Sequence, residues 1–186
     1  MKRSLLILAI VGCSAVSTEA MAQSNMGLKR IGAAVGYVSP ENLDGTFSLG
    51  VFADMGTITP NISLEPRIDF WSWSDEQFGA KTSVSDVQFG ARGKYWFEVP
   101  NSKIRPFAGA GLGIHFLHAK VEIPAQGGFP AEEADDSTNK LGLDLGGGIE
   151  TAMNERTSLH AEIWYGLVSD FNQFNLRVGV SQKLGQ

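Results

Sequence analysis

The chain of 186 residues contains a single cysteine, Cys13, and it lies in a leader segment expected to be removed. Without it, disulfides, cysteine metal sites and thiol catalysis are all excluded. Beyond the leader, no apolar run reaches the roughly 20 residues a membrane-crossing helix needs without meeting a charge. Basic excess is missing too. The formal net charge is −5, whereas a nucleic-acid partner calls for a basic patch. Glycine, by contrast, is abundant, with 22 in the chain. Much glycine and few turn clusters point to strongly curved sheet.

The leader is legible. Lys2 and Arg3 precede the apolar run Leu5 to Val11, and Ala20-Met21-Ala22 supplies a small-residue exit. This is the layout of a secretory signal peptide over 1–22, leaving one domain over 23–186. A second processing route is open at Cys13, because Ile10-Val11-Gly12-Cys13 is similar to a lipoprotein box.

Period-two alternation runs through the rest. Leu64, Pro66, Ile68 and Phe70 oppose Glu65, Arg67 and Asp69; Val87, Phe89, Ala91, Tyr95 and Phe97 oppose Asp86, Gln88, Arg92, Lys94 and Glu98. Alternation of this kind specifies β-strands. Eight segments qualify: 28–39, 46–57, 62–73, 84–98, 104–118, 141–153, 157–168 and 173–184. Connections after the second, fourth and sixth are tight turns rich in Pro and Asn, whereas those after the third and fifth are long. Outer-membrane barrels have short periplasmic turns and longer outer loops. An even strand count places both termini on the short-turn side, and the two criteria agree.

RPFAGAGLG (Arg105 to Gly113), LGLDLGGGIE (Leu141 to Glu150) and FNLRVGVSQKLG (Phe174 to Gly185) resemble strands of the small outer-membrane β-barrels of Gram-negative bacteria, the group of outer-membrane protein A, X and opacity-type barrels. The resemblance covers the mature chain. It implies an all-β fold, an eight-stranded antiparallel up-and-down transmembrane β-barrel in the bacterial outer membrane. Members of that group usually end on an aromatic residue; this chain ends Leu184-Gly185-Gln186.

With apolar faces turned to lipid, a polar network is expected in the lumen: Asp54, Glu65, Arg67, Asp69, Arg92, Lys94, Asp144, Glu150, His160, Glu162, Trp164 and Arg177. Eight strands enclose a space that side chains just fill, so a salt-bridged plug is favoured over a narrow pore for small or apolar solutes. Trp71, Trp73, Trp96 and Trp164 share the polar phase, as filling or as the lining of an apolar pocket. Pairing around Asn154-Glu155 sets Trp164 opposite Gly146 and His160 opposite Glu150, with Arg177 near Trp164 for a cation–π contact.

Chemistry is sparse. His160 and Glu162 lie inside the barrel, away from outer-leaflet lipid. His118 faces outward near the rim, with Ser72 at a similar height, but no lipid A deacylase spacing is present. Glu132, Glu133, Asp135 and Asp136 read as a solvated acidic loop rather than a calcium loop. The sequence therefore indicates no enzyme, no cofactor and no metal. It indicates a monomer in contact with lipid and lipopolysaccharide. Its role is structural or surface-interactive, with loop 119–140 as the contact surface for an extracellular ligand. A lipid A-modifying enzyme and a water-soluble lipocalin-like carrier are the remaining alternatives.

Overall fold

The alternation is plainest in the seventh strand. Ser158, His160, Glu162, Trp164 and Gly166 are buried, while Leu159, Ala161, Ile163, Tyr165 and Leu167 between them are exposed. A computed structural model, describing residues 25–77, 79–125, 131–169 and 171–185, arranges eight such strands. They are β1 (Asn25–Pro40), β2 (Thr46–Thr59), β3 (Ile62–Gln77), β4 (Ala80–Trp96), β5 (Ile104–Ile123), β6 (Glu132–Ala152), β7 (Thr157–Val168) and β8 (Phe171–Lys183). Each pairs antiparallel with the next, and β8 closes on β1. The expected leader over 1–22, with Cys13, lies outside the described residues.

Burial is inverted relative to a water-soluble sheet protein. Among the described residues, nineteen polar or charged ones are buried against six large apolar ones, while Phe47, Leu112 and Leu141 are 82%, 70% and 74% exposed. A polar inside and an apolar outside rule out the soluble carrier, whose container must be apolar within. The apolar band extends around the wall, with Tyr95 stacked edge-on to Phe97 at one end and Phe116 to Phe89 toward the other. All four are exposed, as the aromatic girdles at two membrane interfaces require.

The long connections expected after the third and fifth strands prove to be largely strand. β3 and β4 run to Gln77 and Ala80, so only residues 78–79 join them. Strand pairing likewise continues through Ile123↔Glu132, which reduces the expected loop 119–140 to 124–131. The reason is that alternation weakens once both faces of a strand meet water, although backbone pairing persists. β3 to β6 span 16, 17, 20 and 21 residues, against 12 and 13 for β7 and β8. The excess forms a four-stranded sheet projecting from the end of the barrel opposite the termini.

One stretch of wall is irregular. The β2–β3 ladder jumps from Phe52↔Arg67 to Thr57↔Ser63, setting four residues against three. Pro66 sits in the gap and has no N–H to offer the ladder. Gly56 takes φ +76° there, and a β-carbon on it would come 2.2 Å from the Asn25 carbonyl oxygen. The extra residue makes a β-bulge, which bends the strand.

Candidate functional site

Strand alternation directs side chains from all eight strands into one column. At mid-height Arg67 lies between Asp69, 2.5 Å from Nε, and Glu65, 3.1 Å from Nη1. Arg177 Nη1 approaches the other Asp69 oxygen at 2.9 Å. Lys94 Nζ donates to Glu65 Oε2 at 2.5 Å and to Glu162 Oε1 at 2.7 Å. Arg92 donates through Nε and Nη2 to Asp144 Oδ2 at 3.0 and 2.8 Å, and Gln88 Nε2 donates to the same oxygen at 3.1 Å. Glu162 Oε2 accepts from Trp164 Nε1 at 2.9 Å. These charges come from β3, β4, β6, β7 and β8, so the network ties non-neighbouring strands across the lumen.

Indole and phenyl rings take the remaining space. Trp164 is fully buried and pairs with Gly146 in the ladder. A β-carbon at Gly146 would stand 2.7 Å from the indole and 2.2 Å from the Ile163 carbonyl oxygen. Arg92, not Arg177, stacks on Trp164, with Cζ 3.9 Å from the ring centroid. Asp69 on β3 holds Arg177 away from the indole. Phe107 closes against Trp96 and Trp164 at centroid distances of 4.9 and 6.3 Å.

Toward the termini, His160 faces Glu150 in the ladder. Its Nε2 meets Ser181 Oγ at 2.7 Å, and its Nδ1 stands 3.7 Å from Glu150. Arg30 and Arg105 approach Glu150 at 3.7 and 3.4 Å, and Arg30 also hydrogen-bonds Ser158. Asp54, half-buried opposite Arg30, completes this end. The space left there, between Phe52, Glu65, Lys94 and His160, is about 10 Å³, room for one water. At the other end, His115 Nδ1 meets Asp86 Oδ2 at 2.7 Å and Trp71 Nε1 donates to Gln173 Oε1 at 3.2 Å. All twelve residues singled out from the sequence thus face the interior, Asp54 at its edge. Asp86, His115, Gln173, Phe52 and Phe107 were not among them. Phase would have found Phe107 and His115, which share the glycine line of β5.

The projecting sheet carries a second polar arrangement. Ser72, Ser85, His118 and Ser137 form one cross-strand row on its outward face. His118 Nδ1 lies 3.0 Å from Ser137 Oγ and 3.3 Å from Asp135 Oδ1. A catalytic base uses one ring nitrogen for the nucleophile and the other for its orienting acid. Here both partners converge on the same nitrogen, which suits surface hydrogen bonding and not proton relay. Lys120 Nζ reaches Glu122 at 2.5 Å and Glu133 at 2.9 Å. These hydrogen bonds raise the Lys120 ammonium above its ordinary value and hold Glu122 below the usual carboxylate range. The expected acidic loop cluster is divided by the pleat: Glu133 and Asp135 share the Lys120 face, while Glu132 and Asp136 point to the other. No set of residues suited to a metal ion occurs among the described residues.

Solved structures share this architecture. Neisserial surface protein A is 17% identical, with a TM-score of 0.61 over 84% of this chain and 97% of its own. A major outer membrane protein from Thermus thermophilus is 13% identical, also at 0.61, over 84% and 99%. Ail, the attachment invasion locus protein of Yersinia pestis, was solved with the heparin analogue sucrose octasulfate; it is 12% identical at 0.53 over 84% and 99%. At such identities the likeness concerns the fold alone. No curated protein matches the chain. The model of one family does, from residue 6 to residue 183, so the chain belongs to the outer membrane protein beta-barrel domain family.

Proposed function

We propose that this outer-membrane barrel is a closed, non-conducting scaffold that displays the projecting β3–β6 sheet at the cell surface as an interaction element. Short connections and both termini define the periplasmic end, so the projecting sheet stands outside. The observation that carries the reading is the contrast between a lumen crossed by ion pairs and a strand edge left without a partner. Inside, ion pairs cross the lumen at several heights, and at the termini end the space between Phe52, Glu65, Lys94 and His160 holds one water. Outside, among the described residues β6 pairs with β7 from Gly142 onward, so residues 132–139 present an open strand edge. An unpaired edge is a template for an added strand. Glu132, Glu133, Asp135 and Asp136 on it disfavour pairing with a second copy, because like charges opposite one another repel. They favour an extended basic partner. A polyanion such as the one bound to Ail would meet these same acids.

Two measurements test the proposal. Planar-bilayer recording of the refolded barrel is expected to show no steady conductance; a stable open level defeats the closed scaffold. Replacing 119–136 by a short turn is expected to preserve the heat-modifiable gel shift of a folded barrel while abolishing surface binding of basic peptides. Retention of binding defeats the assignment to the projecting sheet.

A further inference from the structure

The open edge of β6 has two faces, and the pleat gives them different chemistry. Lys140 pairs with His115, whose side chain is fully buried in the lumen. Alternation carries that inward phase along the edge through Thr138, Asp136, Ala134 and Glu132. Ser137, Asp135 and Glu133 take the outward phase. On the outward face the sheet supplies its own cations: Asp135 lies 3.3 Å from His118, and Glu133 lies 2.9 Å from Lys120. On the inward face the cross-strand neighbours of Asp136 and Glu132 are Ala119 and Ile123, which offer no charge. Among the described residues, the acids of the edge that the sheet does not neutralise are therefore the inward pair.

Nearer the barrel the inward face turns apolar. A cavity of about 220 Å³ opens at the outer mouth, walled by Leu43, Val84, Leu117 and Phe171, with Asp136 and Thr138 on its β6 side. The four apolar residues are half-buried. Val84 and Leu117 come from β4 and β5, whereas Leu43 and Phe171 come from the β1–β2 connection and the start of β8. β7 ends at Val168, paired with Gly142, so a strand added along 132–139 stands beyond the end of β7. If it runs antiparallel to β6, its inward side chain opposite Thr138 meets the cavity. The inward side chains two and six residues further on meet Asp136 and Glu132.

We infer that the edge selects an extended segment of another protein that carries an apolar side chain for the mouth cavity and basic side chains two and six residues after it, all on one face. This rests on the reading of the projecting sheet as the interaction element and adds the pattern of its partner. In strand addition, main-chain hydrogen bonds give affinity and pockets for alternate side chains give specificity. Lys140 at the barrel end of the cavity opposes a cation at the first position. Asp136 and Glu132 oppose acids at the later ones, because like charges facing each other across a strand pair repel. A second copy of the chain would bring Glu132, Glu133, Asp135 and Asp136 against the same four acids, and is the poorer occupant.

Two labelled seven-residue peptides of one composition separate this pattern from bare charge. Both carry leucine first, two lysines, and threonine elsewhere. One places its lysines third and seventh, on the leucine face; the other places them fourth and sixth, on the opposite face. Fluorescence anisotropy is read against the full mature barrel in bilayer nanodiscs. The same-face peptide is expected to bind about ten-fold tighter. Ala119→Phe fills the cavity from an exposed position on β5 and is expected to erase that preference. Alanine in place of the peptide's leucine is expected to do the same with the protein untouched, should Ala119→Phe fail to show the folded gel shift. Equal affinities for the two peptides, both lost when 119–136 is replaced by a short turn, overturn the pattern and leave the sheet as the interaction element. Binding of neither peptide overturns both readings. A barrel dimer that forms without peptide and excludes it marks a second copy as the occupant and overturns the inference as well.

Discussion

The projecting sheet continues four of the barrel's eight strands, β3 to β6, yet it obeys different rules from the barrel interior. In the interior, each strand gives one face to lipid and one to a narrow column, and Arg92, Lys94 and His115 are at most 1% exposed. A buried charge without a partner costs several kcal/mol, so position and pairing there are tightly constrained. In the projecting part both faces meet water, and residues 132–139 of β6 are all exposed. Charges there can be exchanged at small cost. One strand can therefore serve as structural plug along one half and as variable surface along the other.

The contrast is broken most sharply at Glu162, which touches Lys94, Arg67 and Arg92 and accepts from Trp164. Glu162→Leu leaves three buried cations short of a partner. It is expected to cost about 3–5 kcal/mol, measured as a fall in the urea midpoint of the barrel in vesicles. Replacing Lys94 as well, as Lys94→Met with Glu162→Leu, is expected to recover part of the loss. If the single variant is as stable as wild type, the lumen is wet and the closed scaffold is wrong. A smaller effect is expected at Gly146→Ala, where the new methyl must displace Trp164 or the Ile163 carbonyl. Overpacking of this kind costs about 1–3 kcal/mol. The same substitution at Gly93, where an added β-carbon meets nothing closer than 3.8 Å, is the matched control and is expected to be near neutral.

The barrel itself was legible because its lipid face and lumen face alternate without interruption. Trp164 opposite Gly146 and His160 opposite Glu150 followed from pairing around Asn154-Glu155 and antiparallel counting. What counting along strands cannot give is distance across the lumen. Arg177 is next to Trp164 in the expected pairing, but Asp69, far away in sequence, takes the guanidinium, and Arg92 from β4 arrives over the indole. The extent of the sheet was equally hidden. Alternation is a signal of unequal faces, so 119–123 and 132–140, wet on both sides, read as loop.

The smallest effect sharpens the contrast from the other side. Lys120 with Glu122 and Glu133 is a surface cluster, and exposed pairs contribute little and are screened by salt. Glu122 titrates below the ordinary carboxylate range because Lys120 hydrogen-bonds it and faces it with opposite charge. A depressed folded value means the contribution is complete above the ordinary carboxylate pKa and disappears as pH falls through the folded one. Amide protection in 119–123 and 132–136 is therefore expected to weaken as pH falls below the ordinary carboxylate range, while protection in β7 and β8 stays constant. Lys120→Met is expected to remove that pH dependence and leave the urea midpoint of the barrel where it was. If the midpoint moves with Lys120→Met, the projecting sheet is energetically part of the barrel. Its edge is then no longer free to exchange partners at constant scaffold stability, and the division between sealed column and open surface fails.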